Sequence, residues 1–417
     1  MTAAGAAKSV GTIGAALVTS SLLGFGLLAI VARWLPPDDN ATFLTVWGLV
    51  FGLGSVISAI EQEIARQATR AMLRGERVPG SAVQLTAVAL GAAGLAVVVV
   101  ALLPLRESLF AGSLWVAALT FLAVGGFAVQ FMSRGVFLGT DRIRRYAAVI
   151  VLEAFLRILL AGGLLLARAE PSIVWAVGAI VIGCFGWLPV VGPLRTQVEW
   201  RGGHEPWRRV SNRVGALGLA NGLSSLVLTA FPTLVTALLG TAQGLATLFG
   251  AVTLSRVPLV LMSPVQAMVV PLATRLVATG RVRDLRALQT RLVSAALAVA
   301  VVAGALGYLL GPWAMTVFMG ERYDASPAMM AVLVGSTVVM AAALIQAAVF
   351  IALERYWLVV ATWATSVAAT TVTLLVSGGS GETRGTAGFT VAALVAFVMA
   401  TLLLRGATAR HESVSAT

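Results

Sequence analysis

Charge is scarce in this sequence. Asp, Glu, Lys and Arg together supply only 11% of 417 residues, against about 25% in a soluble domain, which excludes an ordinary water-soluble fold. Cysteine is scarcer still: the single Cys184 lies in an apolar stretch and leaves neither a disulfide framework nor a Cys-ligated metal cluster. The two histidines, His204 and His411, both fall in polar segments, so no His-based metal site within a membrane is available. Walker A, H-E-x-x-H and Gly-rich dinucleotide motifs are also missing, and the loops are too short for a soluble catalytic domain. The expectation is a protein that is not an enzyme and carries no metal or other cofactor.

What the sequence has in quantity is apolar length. Hydrophobic residues make up 59%, mean hydropathy is +0.95, and glycine reaches 43 residues, as suits helices packed closely in lipid. Runs of about twenty apolar residues match a hydrocarbon core of about 30 Å. They predict an all-α integral membrane protein with about twelve transmembrane helices, at 10–34, 42–60, 81–104, 113–137, 147–167, 173–194, 214–238, 245–271, 292–311, 327–351, 356–377 and 386–404. Pro36-Pro37, Pro104, Pro171, Gly240, Gly311-Pro312 and Ser377-Gly378-Gly379 punctuate them. The first run exceeds twenty residues, longer than a signal-peptide core, and reads as an uncleaved helix.

The net charge of +12 is a matter of placement rather than of nucleic-acid binding. Of the 29 Lys and Arg, Arg33, Arg106, Arg168, Arg322 and Arg384 fall in one set of alternate loops, and Arg157 and Arg256 fall inside helices. The rest, including Arg66, Arg70, Arg74, Arg134, Arg142, Arg144 and Arg145, fall in the other set. The positive-inside rule therefore puts both termini in the cytoplasm. The segment 61-EQEIARQATRAMLRGERV-78 is echoed 205 residues later by 266-QAMVVPLATRLVATGRVR-283, with Ala68-Thr69-Arg70 meeting Ala273-Thr274-Arg275. This echo suggests a parallel repeat: a six-helix lobe over 1–200 and another over 201–417, joined through the charged stretch 195–213.

Ionisable groups inside the predicted helices are the candidates for function. Glu153 and Arg157 stand four apart, hence on one helix face; Glu153 is the only acid expected within a helix. Arg256 has no acid within reach on its own helix, which also carries Pro258, Pro264 and Pro271. Two readings stand for Arg157: a cationic lining that takes a phosphate or pyrophosphate, or a charge simply neutralised by Glu153. Glu153 is an ion-coupling candidate, with its Arg neighbour arguing against that role. Asn221, with Ser224, Ser225 and Thr229, gives the seventh helix a polar stripe that suits either cavity lining or interhelical hydrogen bonding. Trp34, Trp115, Trp207, Trp313, Tyr323 and Trp357 are expected as interfacial anchors.

Three stretches carry a resemblance to a family. They are 318–325, Phe-Met-Gly-Glu-Arg-Tyr-Asp-Ala; the passage 133–166 with Arg134-Gly135, a basic loop and Arg157; and the first hairpin 24–46, where Pro36-Pro37 replaces the family's usual Gly-Pro. The chain resembles Wzx-type polysaccharide flippases, a branch of the multidrug/oligosaccharidyl-lipid/polysaccharide (MOP) exporter superfamily. The resemblance implies a MATE-like pair of six-helix lobes around a cavity in a bacterial cytoplasmic membrane. It also implies an undecaprenyl-pyrophosphate-linked oligosaccharide as cargo, carried from the inner to the outer leaflet by alternating access, and other polysaccharide assembly proteins as partners. Arg157, Arg256 and Asn221 would then be the substrate-binding candidates. The alternatives are a drug/cation antiporter of the MATE type, and a non-transporting membrane scaffold for polysaccharide assembly.

Overall fold

The computed structural model describes residues 3–199, 207–242, 244–259, 282–353 and 355–415. Among these no β-strand occurs, and a lone parallel bridge joins Val78 to Val198. Clustering of contacts divides the chain into two compact units, Met1–Ser225 and Leu226–Thr417.

The first unit holds α1 (Ala3–Trp34), α2 (Pro37–Leu73), α3 (Ser81–Leu102), the short α4 (Leu105–Phe110), α5 (Leu114–Gly139), α6 (Ile143–Leu166), α7 (Ile173–Cys184), the short α8 (Val191–Arg195) and most of α9 (Trp207–Leu228). Local chemistry sets the helix ends. Pro37 begins α2 with its φ already helical, and Asp38 and Asp39 complement the positive end of the helix dipole. The Ser113 side chain accepts from the Val116 N–H at 3.3 Å to cap α5. α5 is the hub of this unit, packing against α2, α3, α6 and α7, while α1 packs on α6.

The second unit comprises α10 (Phe231–Leu239), α11 (Leu245–Ser255), α12 (Val282–Met319), α13 (Pro327–Ala352), α14 (Tyr356–Val376) and α15 (Gly381–Ser415). Its centre is α13, flanked by α12 and α15, with α14 lying on α15. Polar side chains join these helices where water is absent: Ser336 bonds Thr390 at 3.2 Å, Ser366 donates to the Ala392 carbonyl at 2.8 Å, and Thr401 donates to Gln346 at 3.1 Å.

Among the described residues ten helices are long and apolar enough to cross a membrane, or eleven if α9 and α10 form one broken span. The protein is a multi-pass membrane protein. Several sequence expectations need correction. α2 continues to Leu73 rather than stopping near 60, so Glu61 and Glu63 lie inside a helix and Glu153 is not the only helical acid. Arg134, counted with the loop charges although within the predicted 113–137 helix, lies within α5. α12 runs straight through Gly311-Pro312. Trp34 and Tyr323 lie at helix ends but are buried against the protein: the Trp34 indole donates to the Ala169 carbonyl at 3.1 Å, and Tyr323 follows Gly320, whose φ of +102° favours glycine. Trp115, Trp313 and Trp357 are exposed, as an anchor should be. Pro264, Pro271, His204, most of the second repeat segment and the end of the predicted 245–271 helix lie outside the described residues.

Candidate functional site

α6 places Tyr146, Glu153 and Arg157 at intervals of seven and four, which puts all three on one face. α5 answers with Gln130 and Arg134, four residues apart. Two buried clusters result. In one, Arg157 Nη2 meets Glu153 Oε1 at 2.5 Å, Gln130 donates its amide N–H to Glu153 Oε2, and Cys184 Sγ lies 3.9 Å from Arg157. Three rings close over the guanidinium: Phe51 at 4.8 Å, and Trp47 and Phe127 at 5.7 Å each. Such cation–π contacts strengthen when desolvated, and Arg157 is only 4% exposed.

The other cluster joins three helices. Arg134 of α5 stands 3.2 Å from Glu61 of α2, and the Tyr146 hydroxyl of α6 donates to Glu61 at 3.1 Å. The rings of Phe131 and Tyr146 lie 5.0 and 5.4 Å from the Arg134 guanidinium. Two residues along α2, Glu63 takes Arg66 at 2.5 Å and Gln67 at 2.9 Å, and Ser81 at the start of α3 donates to Gln67 at 2.7 Å. Each of these buried carboxylates thus carries a cationic and a second polar partner, which is the condition for holding charge away from water.

Close backbone approach makes both clusters possible. A Cβ on Gly183 of α7 would fall 2.7 Å from the Glu153 carbonyl oxygen and against the Arg157 side chain. A Cβ on Gly135 of α5 would fall 2.7 Å from the Glu61 carbonyl oxygen. Even so, Arg157 Nε and Gln130 Oε1 remain buried without a hydrogen-bond partner among the described residues.

The other two candidates are differently placed. Asn221 of α9 donates to the Ser58 hydroxyl of α2 at 3.2 Å and is half-buried. Arg256, in the second unit, follows the last residue of α11 and is half-buried. Its Nε and Nη2 are buried and unpaired among the described residues, and no described carboxylate offsets its charge. The preceding Ser255 ties this helix end to Thr337 of α13 at 3.2 Å, so the guanidinium leaves a fixed point. Of the two readings left open for Arg157, the pairing with Glu153 is present, and Arg256 has no carboxylate partner among the described residues. The sequence does not reveal Glu61, Arg134, Tyr146 and Gln130, because Tyr146 and Glu61 meet across 85 residues.

Comparison with known proteins adds fold but little chemistry. No family model matches the chain. It is 29% identical over 353 residues to the uncharacterized protein Rv3630 of Mycobacterium tuberculosis, covering 81% of this chain and 78% of that one. It is also 29% identical over 383 residues to the uncharacterized protein Rv1510 of the same organism, covering 88% and 85%. Among solved structures, a multidrug resistance MATE family transporter of the MOP superfamily in its inward-facing conformation superposes with a TM-score of 0.73 at 16% identity, over 95% of this chain and 96% of that one. A MOP superfamily transporter from Pyrococcus furiosus, described as having a binding pocket of reverse polarity, gives 0.65 at 13% identity over 97% and 96%. These likenesses establish the MATE fold.

Proposed function

We propose that this MATE-fold chain is a flippase for an anionic lipid-linked sugar. Its cargo is an undecaprenyl-pyrophosphate-linked oligosaccharide, moved from the inner to the outer leaflet of a bacterial cytoplasmic membrane by alternating access. The observation that carries the reading is Arg256: a half-buried guanidinium whose Nε and Nη2 have no hydrogen-bond partner among the described residues of a membrane protein. Unpaired charge at such depth is functional by default, and a planar fork of donors suits phosphate oxygens. The acids Glu61, Glu63 and Glu153 are all engaged by basic or amide partners, which leaves none of these three free to receive a cation. A fold relative with a pocket of reverse polarity supports the idea that the same scaffold serves ligands of either charge. Arg157 and Asn221 are assigned supporting roles: Arg157 offers a second cation once its ring cover opens, and Asn221 a hydrogen-bonding amide.

A drug/cation antiporter is the second reading, favoured by the multidrug transporters that share the fold. The test separates the two. Arg256→Ala should abolish export of the surface polysaccharide while the protein still reaches the membrane, and Arg256→Lys should restore part of it. Losing a charge-assisted contact of ~1.5–3 kcal/mol weakens binding of the lipid-linked precursor by about 10- to 100-fold. Unchanged export with altered tolerance to cationic drugs would favour the antiporter, and unchanged export with unchanged tolerance would favour a scaffold.

A further inference from the structure

The turn between α5 and α6 gathers charge that neither buried cluster uses. Asp141, Arg142, Ile143, Arg144 and Arg145 line a shallow cavity of about 460 Å³. Three arginines against one aspartate leave it strongly positive. Among the described residues no ion pair engages Arg142, Arg144 or Arg145, and Arg145 Nη1 is buried without a hydrogen-bond partner. The turn itself is held in place. Asp141 reverses the backbone at φ +56°, the Arg142 N–H donates to the Phe137 carbonyl at 2.8 Å, and the Thr140 hydroxyl donates to Gln197 at 2.9 Å. The three guanidiniums therefore leave a fixed frame, beside the positive end of α6, whose first turn holds no acid. Like charges so placed repel one another and the helix end, and a bound anion relieves both. Topology requires arginines somewhere in such a loop; it does not require them to converge on one cavity.

Depth and the outer face of α6 select the kind of anion. α5 and α6 have 26 and 24 residues, so each is roughly 36–39 Å long at about 1.5 Å per residue. That exceeds a hydrocarbon core of ~30 Å but not the ~40–45 Å that includes the headgroups. The turn joining the two helices thus lies at headgroup level. Along α6, Arg144, Ala148, Phe155, Leu159 and Leu166 follow one another at steps of four and seven, which is one helix face. All five are exposed, Phe155 by 47% and Leu159 by 56%. Arg144 therefore heads an apolar stripe on a membrane-spanning helix. From Ala148 to Leu159 the stripe runs roughly 16 Å, about the depth of one leaflet. A soluble anion would use the guanidiniums and leave the stripe idle, whereas a phospholipid uses both. Its headgroup must carry net negative charge, because the surplus arginines repel the trimethylammonium of phosphatidylcholine.

We infer that this turn binds an anionic glycerophospholipid of the inner leaflet, its phosphate on Arg142, Arg144 and Arg145 and its acyl chains along the exposed stripe of α6. Planar guanidinium donors suit phosphate oxygens, and basic pockets at the cytoplasmic ends of membrane helices take such headgroups. The site is separate from Arg256 and does not depend on what the protein transports. Tyr146, the next residue of α6, donates to Glu61 beside Arg134, so an occupied site borders the contact that joins α2, α5 and α6.

The experiment uses the full chain in phosphatidylcholine nanodiscs with a minor fraction of phosphatidylglycerol that carries a diazirine in one acyl chain. Irradiation should place adducts on the peptide 143–160. Excess unlabelled phosphatidylglycerol should remove them, and extra phosphatidylcholine or soluble glycerol phosphate should not. Arg142→Gln/Arg144→Gln should lower labelling about tenfold, the loss expected for two arginines at a membrane surface, with the melting temperature retained. Arg74→Gln/Arg77→Gln removes equal charge from the turn between α2 and α3 and should leave labelling unchanged. Equal loss from both double variants would reduce the effect to net charge and overturn the site. Adducts confined to other helices, or equal competition by phosphatidylcholine, would overturn it as well. Displacement by glycerol phosphate would assign the turn to a soluble anion and remove the lipid. Should the first double variant fail to fold, Arg144→Gln alone, at an exposed position, carries the same comparison.

Discussion

Glu153 and Arg157 share a buried contact of 2.5 Å, closed over by Phe51, Trp47 and Phe127, and the consequence of removing one partner differs from that of removing both. Glu153→Ala strands a guanidinium among rings and is expected to destabilise the first unit by about 3–5 kcal/mol. Glu153→Gln/Arg157→Met takes out both charges while keeping volume, and is expected to lie much closer to the parent, giving a coupling term opposite in sign to simple addition. Thermal melts of the parent, Glu153→Gln, Arg157→Met and the double variant in one detergent, with Glu153→Ala alongside, check this; a double variant that melts below both of its single variants would remove the ion pair from the account. The sequence made this pair legible because four residues on a helix is a local distance. It left Glu61–Arg134 illegible because a hydropathy window sees the cost of an acid but not a cation contributed by another helix. Glu61 therefore read as the end of a span, when Arg134 and the Tyr146 hydroxyl allow the helix to carry it on to Leu73.

At the scale of elements, the position of α5 depends on glycines that let backbones touch. Gly135 brings α5 within 2.7 Å, measured to a hypothetical Cβ, of the Glu61 carbonyl of α2, and Gly126 does the same to the Cys184 carbonyl of α7 at 2.8 Å. Small residues of this kind are how helices associate where lipid supplies no hydrophobic drive. Gly135→Leu is expected to push α2 away, open the Glu61–Arg134 contact and abolish a monodisperse folded species by size-exclusion chromatography. Gly163→Ala on α6, where no atom lies within 4 Å of the added carbon, is expected to be neutral or stabilising by up to ~1 kcal/mol through helix propensity. Equal loss from both would show that the close approach at Gly135 is not what sets its sensitivity. The extents of most elements were legible from apolar runs. α12 was not, since Gly311-Pro312 reads as a stop in water. Proline is tolerated inside membrane helices, where the carbonyl it frees, here that of Tyr308 four residues back, can be re-satisfied by neighbours or by local adjustment of the helix. The ends of α14 and α15 meet through Arg384, whose Nε donates to the Leu374 carbonyl at 2.9 Å, a capping role that a loop arginine counted only for its charge does not reveal.

For the whole molecule the open quantity is parity: how many times the chain crosses between one exposed loop and another. Loop charges predict that Glu170 and Glu321 lie on the outer side and Arg142 and Arg355 on the cytoplasmic side, and all four are exposed. The stretch between Glu170 and Glu321 contains the span Ile173–Arg195 built from α7 and α8, the broken α9–α10 helix, the short apolar helix 245–259 and α12. An outer position at both ends requires an even number of crossings there, as twelve spans in two parallel lobes demand. The lone native cysteine makes the measurement clean, because Cys184 is fully buried and a buried thiol reacts little. Single replacements Glu170→Cys, Glu321→Cys, Arg142→Cys and Arg355→Cys should divide into two pairs. The glutamate positions should react with a membrane-impermeant maleimide in intact cells, and the arginine positions only after permeabilisation. If Glu321→Cys instead behaved like Arg142→Cys, the crossings between 170 and 321 would be odd in number, and the two halves could not be parallel copies. Alternating access between like lobes would then lose its symmetry argument.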